Sequence, residues 1–220
     1  MGGSIRKQFR SLGGVPLVVH ALRVFQASPV IDSIVLAVPQ VDIEYCRTEI
    51  VQAHRFTKVL DIVPGGQERQ DSVRNGLAAV RMETAVVVVH DAVRPFVTER
   101  MVADVVEAAR AKGAAIMALP MRDTVKQVRE DRVIDRTVDR RPLWLAQTPQ
   151  AFRTAWLKEA HAKALAEGIT ATDDAYLVES LGRPVSVIEG SGENIKVTRP
   201  EDMIIGEAIF ASRQVAAGKG

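Results

Sequence analysis

The chain has 220 residues, of which 47% are hydrophobic, and its formal net charge is only +2. This length and apolar content suit a globular domain with a full core, and the small mixed charge argues against a dedicated nucleic-acid binder. One cysteine, Cys46, excludes an internal disulfide and any multi-cysteine metal site. We expect Cys46 to pack in a helix and the protein to be cytoplasmic. We expect no membrane partner, since no apolar run reaches the ~18 residues of a membrane span.

Helix-like and strand-like segments alternate from residue 16 to residue 120. Apolar residues at helical spacing predict helices over residues 16–28, 42–55, 69–81 and 98–113. The last of these has Thr98 as its N-cap and Gly113 just past its end. Compact apolar runs predict strands over residues 32–39, 58–66, 84–92 and 114–120. This alternation predicts an α/β fold, a mostly parallel sheet with helices on both faces.

The alternation breaks between residues 121 and 144, where the chain is charged and poor in core residues. Apolar residues alternate along this stretch, at Val125, Val128, Val133, Ile134 and Val138. The period of two predicts a β-hairpin arm that leaves the main body. Because an isolated hairpin is marginally stable in water, we expect the arm to pack against a partner chain. Residues 1–220 would then form a single domain with one arm, ending in a helix from Pro200.

The motif HDAVRPF closes the most hydrophobic predicted strand. Ligands of open parallel sheets bind beyond the carboxyl ends of the strands, so Asp91 and Arg94 deliver a carboxylate and a guanidinium to that edge. A surface pair that stabilises a turn would give the same pattern. His90 is open to a chemical role, although a structural role is favoured.

The motif PGGQERQDSV also joins a predicted strand to a helix. Backbone N–H groups and the helix dipole at such a turn favour oxygen acceptors such as phosphate, but an ordinary turn has the same glycines. In SGENIKVT, Lys196 is predicted to lie in a short strand beside a glycine-rich turn. Both Lys196 and Lys7 either point to solvent or reach a bound anion.

Four cations could meet a polyanion: Lys7, Arg94, Arg140 and Lys196. The chain has no P-loop of the GxxxxGK[ST] type, no GxSxG elbow and no HExxH motif. What remains is phosphate chemistry carried out by loops and separate cations.

Five motifs follow one another across almost the whole chain: GGQERQDSV, HDAVRPF, TPQAF, TDDAYLVE and GENIKVTRPED. Together they resemble the 2-C-methyl-D-erythritol 4-phosphate cytidylyltransferase family of non-mevalonate isoprenoid biosynthesis. The resemblance implies a Rossmann-like nucleotidyltransferase that joins CTP and methylerythritol phosphate to give CDP-methylerythritol and diphosphate. It also implies Mg²⁺ as cofactor, held mainly by the CTP phosphates with no protein ligand assigned. Two alternatives stay open, a ribitol-5-phosphate cytidylyltransferase and a truncated, non-catalytic homodimer.

On the nucleotide side, the resemblance implies roles for four residues. Lys7 would act catalytically by stabilising the charge that develops at the α-phosphate. Gly65, Gly66 and Ser72 would bind the cytosine.

On the polyol side, the resemblance implies that Asp91 and Arg94 line the sugar-phosphate site. Arg140 and Lys196 would act catalytically by positioning methylerythritol phosphate. The dimers of this family exchange β-arms, so Thr124 and Arg140 would complete the site of the partner chain. This agrees with the unsupported hairpin that the residues themselves predict.

The front of the chain departs from the family pattern. The family begins with a hydrophobic strand and a glycine-rich loop that carries an arginine, whereas Met1 falls on a later methionine and Arg6 replaces the usual proline. Such a strand would be central, and its absence would leave buried backbone groups unpaired at about 1–3 kcal/mol each. We therefore expect the natural protein to be longer, and a chain that starts at Met1 to fold poorly and bind CTP weakly.

Overall fold

The computed structural model describes residues 6–81 and 83–217. The helices are α1 (Leu17–Ala27), α2 (Ile43–Tyr45), α3 (Arg69–Ala79), α4 (Glu99–Lys112), α5 (Thr154–Glu167), α6 (Asp174–Glu179) and α7 (Pro200–Ala217). The strands are β1 (Ser11–Leu12), β2 (Val15–Pro16), β3 (Ile34–Val38), β4 (Val59–Pro64), β5 (Val86–Val89), β6 (Ala114–Pro120), β7 (Val125–Val128), β8 (Ile134–Val138), β9 (Trp144–Arg153) and β10 (Ser186–Glu189). A π-helical stretch, Cys46–Gln52, continues α2, and 3-10 turns occupy Lys7–Phe9 and Gln40–Asp42. The expectation about the first residues of the chain falls on residues 1–5, which lie outside the described residues.

The central sheet has the strand order β10-β6-β9-β5. Strand β10 is parallel to β6, whereas β9 is antiparallel to both β6 and β5. Strands β5, β6 and β10 therefore run in one direction and β9 runs in the other. The predicted α/β fold is confirmed; three of the four strands share one direction, but the two pairings that β9 makes are antiparallel. The reversal follows from the connection, because the chain leaves β6 through the arm and returns beside it without a crossover helix.

Strand β9 carries the TPQAF motif and was not predicted as a strand. Pro149 argues against a central strand because proline cannot donate to a ladder. The structure accommodates it at an irregularity: Ile116 of β6 pairs with Gln150, but Ala118 pairs with Ala146, so Gln147–Pro149 bulge out of register. Bulges re-aim side chains next to functional sites, and here the bulge lies beside the end of β5.

Helices cover both faces of this sheet, because alternate residues of each strand point to opposite sides. One face packs against α5 and α6 through Ile116 and Phe152. The other face packs against α4 through Ala115, Met117 and Ala151. The predicted three-layer arrangement is confirmed.

A second, two-stranded parallel sheet joins β3 to β4. Helix α1 and the Cys46–Gln52 stretch pack on it around a separate apolar cluster. Cys46 is fully buried there as a free thiol, which confirms its predicted packing role. Burial, with a smaller contribution from the nearby Asp42 carboxylate, raises the pKa of this thiol to about 11.

The predicted ends of α4 are confirmed. The Thr98 side chain accepts a hydrogen bond from the Met101 backbone N–H, at 3.2 Å, as an N-cap does. Gly113 ends the helix with φ 98°. A Cβ at Gly113 would lie 2.2 Å from the Trp156 ring, so only glycine fits this turn.

The predicted hairpin arm is present as the antiparallel pair β7–β8. Its apolar side chains are largely exposed: Val128, Val133 and Ile134. By contrast, the predicted short strand around Lys196 is wrong, since residues 191–198 have no strand assignment. One backbone bond, from Val197 N–H to the Val93 carbonyl at 2.8 Å, holds this segment as a loop against the HDAVRPF turn.

No helix within the described part of the chain combines the length and apolar character that crossing a membrane requires.

Candidate active site

Four chain segments meet at one edge of the central sheet: the loop after β5, the loop after β10, the bulge of β9 and the first turn of α3. Because β5, β6 and β10 run in one direction, their carboxyl ends share this edge. The loop after β5 brings Asp91, and the loop after β10 brings Lys196. The Lys196 ammonium group lies 2.8 Å from Asp91 Oδ2. Two residues that the sequence predicted separately are thus in direct contact.

Asp91 is held on several sides. Its other carboxylate oxygen, Oδ1, accepts a hydrogen bond from Arg69 Nε at 3.0 Å, and its backbone N–H donates to Thr148 Oγ1 at 3.1 Å. The side chain is 13% exposed. Burial alone would raise the pKa of Asp91, but the positive charges of Arg69 and Lys196 outweigh it and hold that pKa far below its usual range. Asp91 is therefore a fixed anion at any physiological pH.

Arg94 anchors the loop that carries Lys196. Its Nη1 donates to the carbonyl of Asn194, at 2.7 Å. Asn194 is fully buried and donates from Nδ2 to the Thr148 carbonyl at 2.9 Å. Burial, together with the neighbouring Arg69 charge and against the attraction of Asp91, lowers the pKa of Arg94. The Arg94 guanidinium thus joins the loop after β5 to the loop after β10, and Asn194 joins that loop to β9.

His90 has a structural role in this arrangement. Its Nε2 donates to the Arg94 carbonyl, and its Nδ1 accepts from the Thr148 hydroxyl, both at 3.1 Å. Both ring nitrogens are therefore occupied, and the bond to the carbonyl fixes the neutral tautomer. Burial is the main cause that lowers the pKa of His90 to about 4, so the ring is neutral near pH 7 and stabilises the turn.

The glycine turn before α3 is a compact, locked element. Gly65 N–H donates to the Val38 carbonyl at 2.6 Å, and Gly66 N–H donates to Ser72 Oγ at 3.0 Å. A Cβ at Gly66 would lie 2.1 Å from the Asp71 side chain, so the turn requires glycine. The structure therefore brings Gly65, Gly66 and Ser72 together, and α3 connects them to Asp91 through Arg69.

Three predicted site residues, Lys7, Thr124 and Arg140, make no hydrogen bond or ion pair with this cluster among residues 6–81 and 83–217. Lys7 is exposed in the first 3-10 turn, and its ammonium group joins no ion pair among residues 6–81 and 83–217. Thr124 and Arg140 are exposed at the base of the arm. Arg140 donates a hydrogen bond to the Arg122 carbonyl, which keeps it on the arm.

Three charged or polar residues of the site were missed from the sequence: Arg69, Asp174 and His161. Arg69 Nη1 lies 2.7 Å from Asp174 Oδ2, and His161 Nε2 lies 2.9 Å from Asp174 Oδ1. Arg69 and Asp174 stand inside two of the recognised motifs, each in the first turn of a helix. That position was the available signal, but 105 residues separate them, and a single sequence does not show which charges meet.

The cluster is suited to bind an anion. Three cations, Arg69, Arg94 and Lys196, face two carboxylates, Asp91 and Asp174, which leaves an excess of positive charge. The Lys196 side chain is 41% exposed, so its ammonium group is accessible from solvent. Charged groups fixed before a ligand arrives stabilise developing charge without reorganising. The edge can therefore hold phosphate groups and neutralise them.

Comparisons with known proteins agree over nearly the whole chain. A sequence model of the family described as IspD, 2-C-methyl-D-erythritol 4-phosphate cytidylyltransferase, matches residues 1–212. The enzyme of that name from Syntrophus aciditrophicus is 48% identical over 97% of this chain and 92% of its own length. The crystal structure of the Thermus thermophilus enzyme has a TM-score of 0.80 and 36% identity, covering 93% of this chain and 94% of that one. The 4-diphosphocytidyl-2C-methyl-D-erythritol synthase from Anaerococcus prevotii has a TM-score of 0.85 and 31% identity, covering 96% and 92%.

Proposed function

Because the chain belongs to the 2-C-methyl-D-erythritol 4-phosphate cytidylyltransferase family, we propose that it transfers CMP from CTP to 2-C-methyl-D-erythritol 4-phosphate. The products are CDP-methylerythritol and diphosphate. The observation that carries the proposal is the Asp91–Lys196 pair with Arg94 beside it, at the carboxyl ends of parallel strands. Nucleotides and phosphorylated substrates bind at this edge of open α/β sheets.

The chemistry needs little covalent help from the protein. A phosphate oxygen of methylerythritol phosphate attacks the α-phosphorus of CTP, and the bond to the β-phosphate oxygen breaks in line as diphosphate leaves. A phosphate monoester is already an anion near neutral pH, so the reaction requires no protein base. His90 is neutral and uses both ring nitrogens in hydrogen bonds, which is compatible with a reaction that needs no protein base. Catalysis is then positioning and charge neutralisation.

On the nucleotide side, Lys7 is proposed to stabilise charge at the α-phosphate. The cytosine is proposed to bind at Gly65, Gly66 and Ser72. The locked geometry of the glycine turn supports this assignment, because a turn fixed by its own hydrogen bonds offers a rigid edge to a planar base.

On the polyol side, Asp91 and Arg94 are proposed to line the sugar-phosphate site, with Lys196 positioning the phosphate of methylerythritol phosphate. Thr124 and Arg140 are proposed to complete the site of a partner chain in a homodimer that exchanges arms. The exposed apolar side chains Val128 and Ile134 support this pairing, since a hairpin is not stable alone in water.

Mg²⁺ is the divalent cation that we propose for the reaction. It usually keeps several waters and is bound through one or two carboxylates together with substrate phosphates. Within residues 6–81 and 83–217, no three His, Cys, Asp or Glu side chains are grouped as a metal cluster. Both oxygens of Asp91 already contact cations, Arg69 and Lys196, so the residues at the strand ends fit a cation that the CTP phosphates would hold, with no protein ligand assigned. When bound, the ion neutralises phosphate charge.

Further parts of the proposal concern the whole chain. We propose that residues 1–220 act as one nucleotidyltransferase domain and that the protein works in the cytoplasm, without nucleic-acid or membrane partners. The single, buried free thiol of Cys46 is compatible with a reducing compartment.

A direct assay tests the activity. The chain is incubated with CTP and Mg²⁺, together with either methylerythritol phosphate or ribitol 5-phosphate, and diphosphate release is measured. We expect product with methylerythritol phosphate and far less with the ribitol compound. A preference for ribitol 5-phosphate would overturn the substrate assignment. No product with either polyol, and no heat of Mg·CTP binding in calorimetry, would favour the non-catalytic homodimer.

A further inference from the structure

A row of contacting polar and charged side chains runs from the interior to the proposed phosphate site. Its members are His161, Asp174, Arg69, Asp91 and Lys196, and four contacts join them. Their lengths, in that order, are 2.9, 2.7, 3.0 and 2.8 Å. The side chains at the inner end are 3% (His161) and 1% (Asp174) exposed, whereas Lys196 at the outer end is 41% exposed. The row therefore connects a buried carboxylate to an accessible cation.

The inner end of the row is fully buried, and the reaction proposed above does not use it. A carboxylate as buried as Asp174 is costly unless it is paired, and both of its oxygens are in fact occupied. Arg69 Nη1 donates a hydrogen bond to Oδ2, and His161 Nε2 donates one to Oδ1. Among the described residues, Nδ1 of His161 has no hydrogen-bond partner. This favours the tautomer with the proton on Nε2, where the ring donates to Asp174.

We propose that Asp174, oriented by His161, is a positioning residue that sets the Asp91–Lys196 pair through Arg69. A guanidinium is a rigid fork. With Nη1 held by Asp174, the planar guanidinium directs Nε towards Oδ1 of Asp91. Oδ2 then stays available to Lys196. The position of the Lys196 ammonium group is thus decided by a carboxylate that no substrate can reach.

A purely structural role predicts different behaviour. In that case Asp174 would only join α6 to α3, and its loss would loosen the protein in general. In the proposed role, losing Asp174 frees Arg69, which is 31% exposed and can turn to solvent. The Asp91 carboxylate and the Lys196 ammonium group then lose their fixed relative position. The two roles differ in whether the effect of Asp174 depends on Lys196.

The kinetic test rests on the proposed function, since it uses the cytidylyltransferase assay. Asp174→Asn keeps the size of the side chain and removes its charge. We expect kcat to fall by about 10- to 100-fold, as for a displaced catalytic group. We also expect KM for methylerythritol phosphate to rise while KM for CTP stays near the wild-type value. In a Lys196→Met background, the same substitution should cost less than about threefold. Equal losses in both backgrounds would overturn the proposal.

The role of His161 is tested by a conservative pair of variants. His161→Gln retains an N–H donor that can reach Asp174, whereas His161→Leu retains none. We expect the glutamine variant to keep more of kcat than the leucine variant. Equal losses would mean that the ring only fills space.

A second measurement needs no activity. In ¹⁵N NMR of the whole chain, the Arg69 Nε–H signal, assigned with Arg69→Lys, should be protected from solvent exchange because it donates to Asp91. We expect Asp174→Asn to remove this protection. Arg183→Gln is the matched control, because Arg183 pairs with Glu159 at 2.9 Å and is similarly exposed at 36%. Unchanged protection in Asp174→Asn would overturn the proposal even if the chain has another enzymatic function.

Discussion

The strand-end cluster and the hairpin arm are built from the same residue types, yet their charges have different surroundings. In the cluster, Asp91 and Asp174 are 13% and 1% exposed and each touches two partners. On the arm, Arg141 and Asp139 form one pair at 2.7 Å with side chains 88% and 53% exposed. Exposed pairs of this kind contribute little to stability, whereas breaking a buried pair leaves an uncompensated charge.

This difference shows which contacts hold the charged side chains of each region in place. The ion pairs of the cluster form within one chain, because both carboxylates, Asp91 and Asp174, are paired with cations of the same subunit. On the arm, Arg140 and the apolar side chains Val128, Val133 and Ile134 are exposed. We therefore expect substitutions in the cluster to act within the subunit, and substitutions on the arm to act on the partner.

The largest expected effect is that of Lys196→Ala. It removes the accessible cation of the cluster, and turnover should fall on the order of 10²–10³-fold, as when a single well-placed donor is deleted. Steady-state kinetics measures the loss, and circular dichroism checks that the fold survives. Lys163→Ala is the control, since within the described part of the chain the Lys163 ammonium group bonds a single carbonyl, that of Ser180, at 3.0 Å. Wild-type turnover in Lys196→Ala would remove this residue from the mechanism.

A similar loss is expected for Arg140→Ala, and mixing tests which subunit it serves. A dimer of one Arg140→Ala chain and one Lys196→Ala chain would have one intact site if arms are exchanged. Unfolding and refolding the two inactive variants together should then restore roughly a quarter of wild-type activity, because half of the dimers are mixed. No recovery would show that Arg140 acts within its own chain.

Arg141→Ala is the matched control on the same arm. Its only ion pair in the described part of the chain is the exposed one with Asp139. We expect both turnover and melting temperature to stay at the wild-type values. A loss like that of Arg140→Ala would mean that any charge removed from the arm disturbs it.

A last prediction concerns stability and pH rather than turnover. His90 is neutral in the folded protein, with its pKa lowered by burial from 6.5 to about 4, so the unfolded chain binds a proton first as pH falls. This contribution is fully present above about pH 6.5 and is lost towards pH 4. The free energy of unfolding should therefore drop by about 3 kcal/mol across this window. Chemical denaturation at several pH values measures it.

The control for this prediction is His90→Gln, which should show a flatter profile over the same window. The pKa of Asp91 is lowered from 3.8, so Asp91 also destabilises the folded protein as pH falls, but only below that pH. The pH ranges in which His90 and Asp91 act are therefore distinct. An identical slope in His90→Gln and the wild type would show that His90 is not the group that titrates.

Local patterns predicted much of the fold because the physics behind them is local. Strand β5, the caps of α4 and the hairpin of the arm were all readable from spacing and turn residues. Strand β9 was not, because a proline and polar residues hide it, and only the bulge opposite β6 accommodates them. The strand predicted at Lys196 failed for the related reason that a single backbone bond does not make a ladder.

The sequence by itself determined the α/β class, the family motifs and the candidate residues Asp91, Arg94 and Lys196. Only the tertiary structure decided that Lys196 pairs with Asp91, and that Arg69 and Asp174 stand behind them. The reason is physical. Helical and strand periodicities arise between near neighbours in the sequence. The partner of a buried charge, by contrast, depends on how distant segments pack. Desolvation makes an unpaired charge most costly where the chain is least exposed.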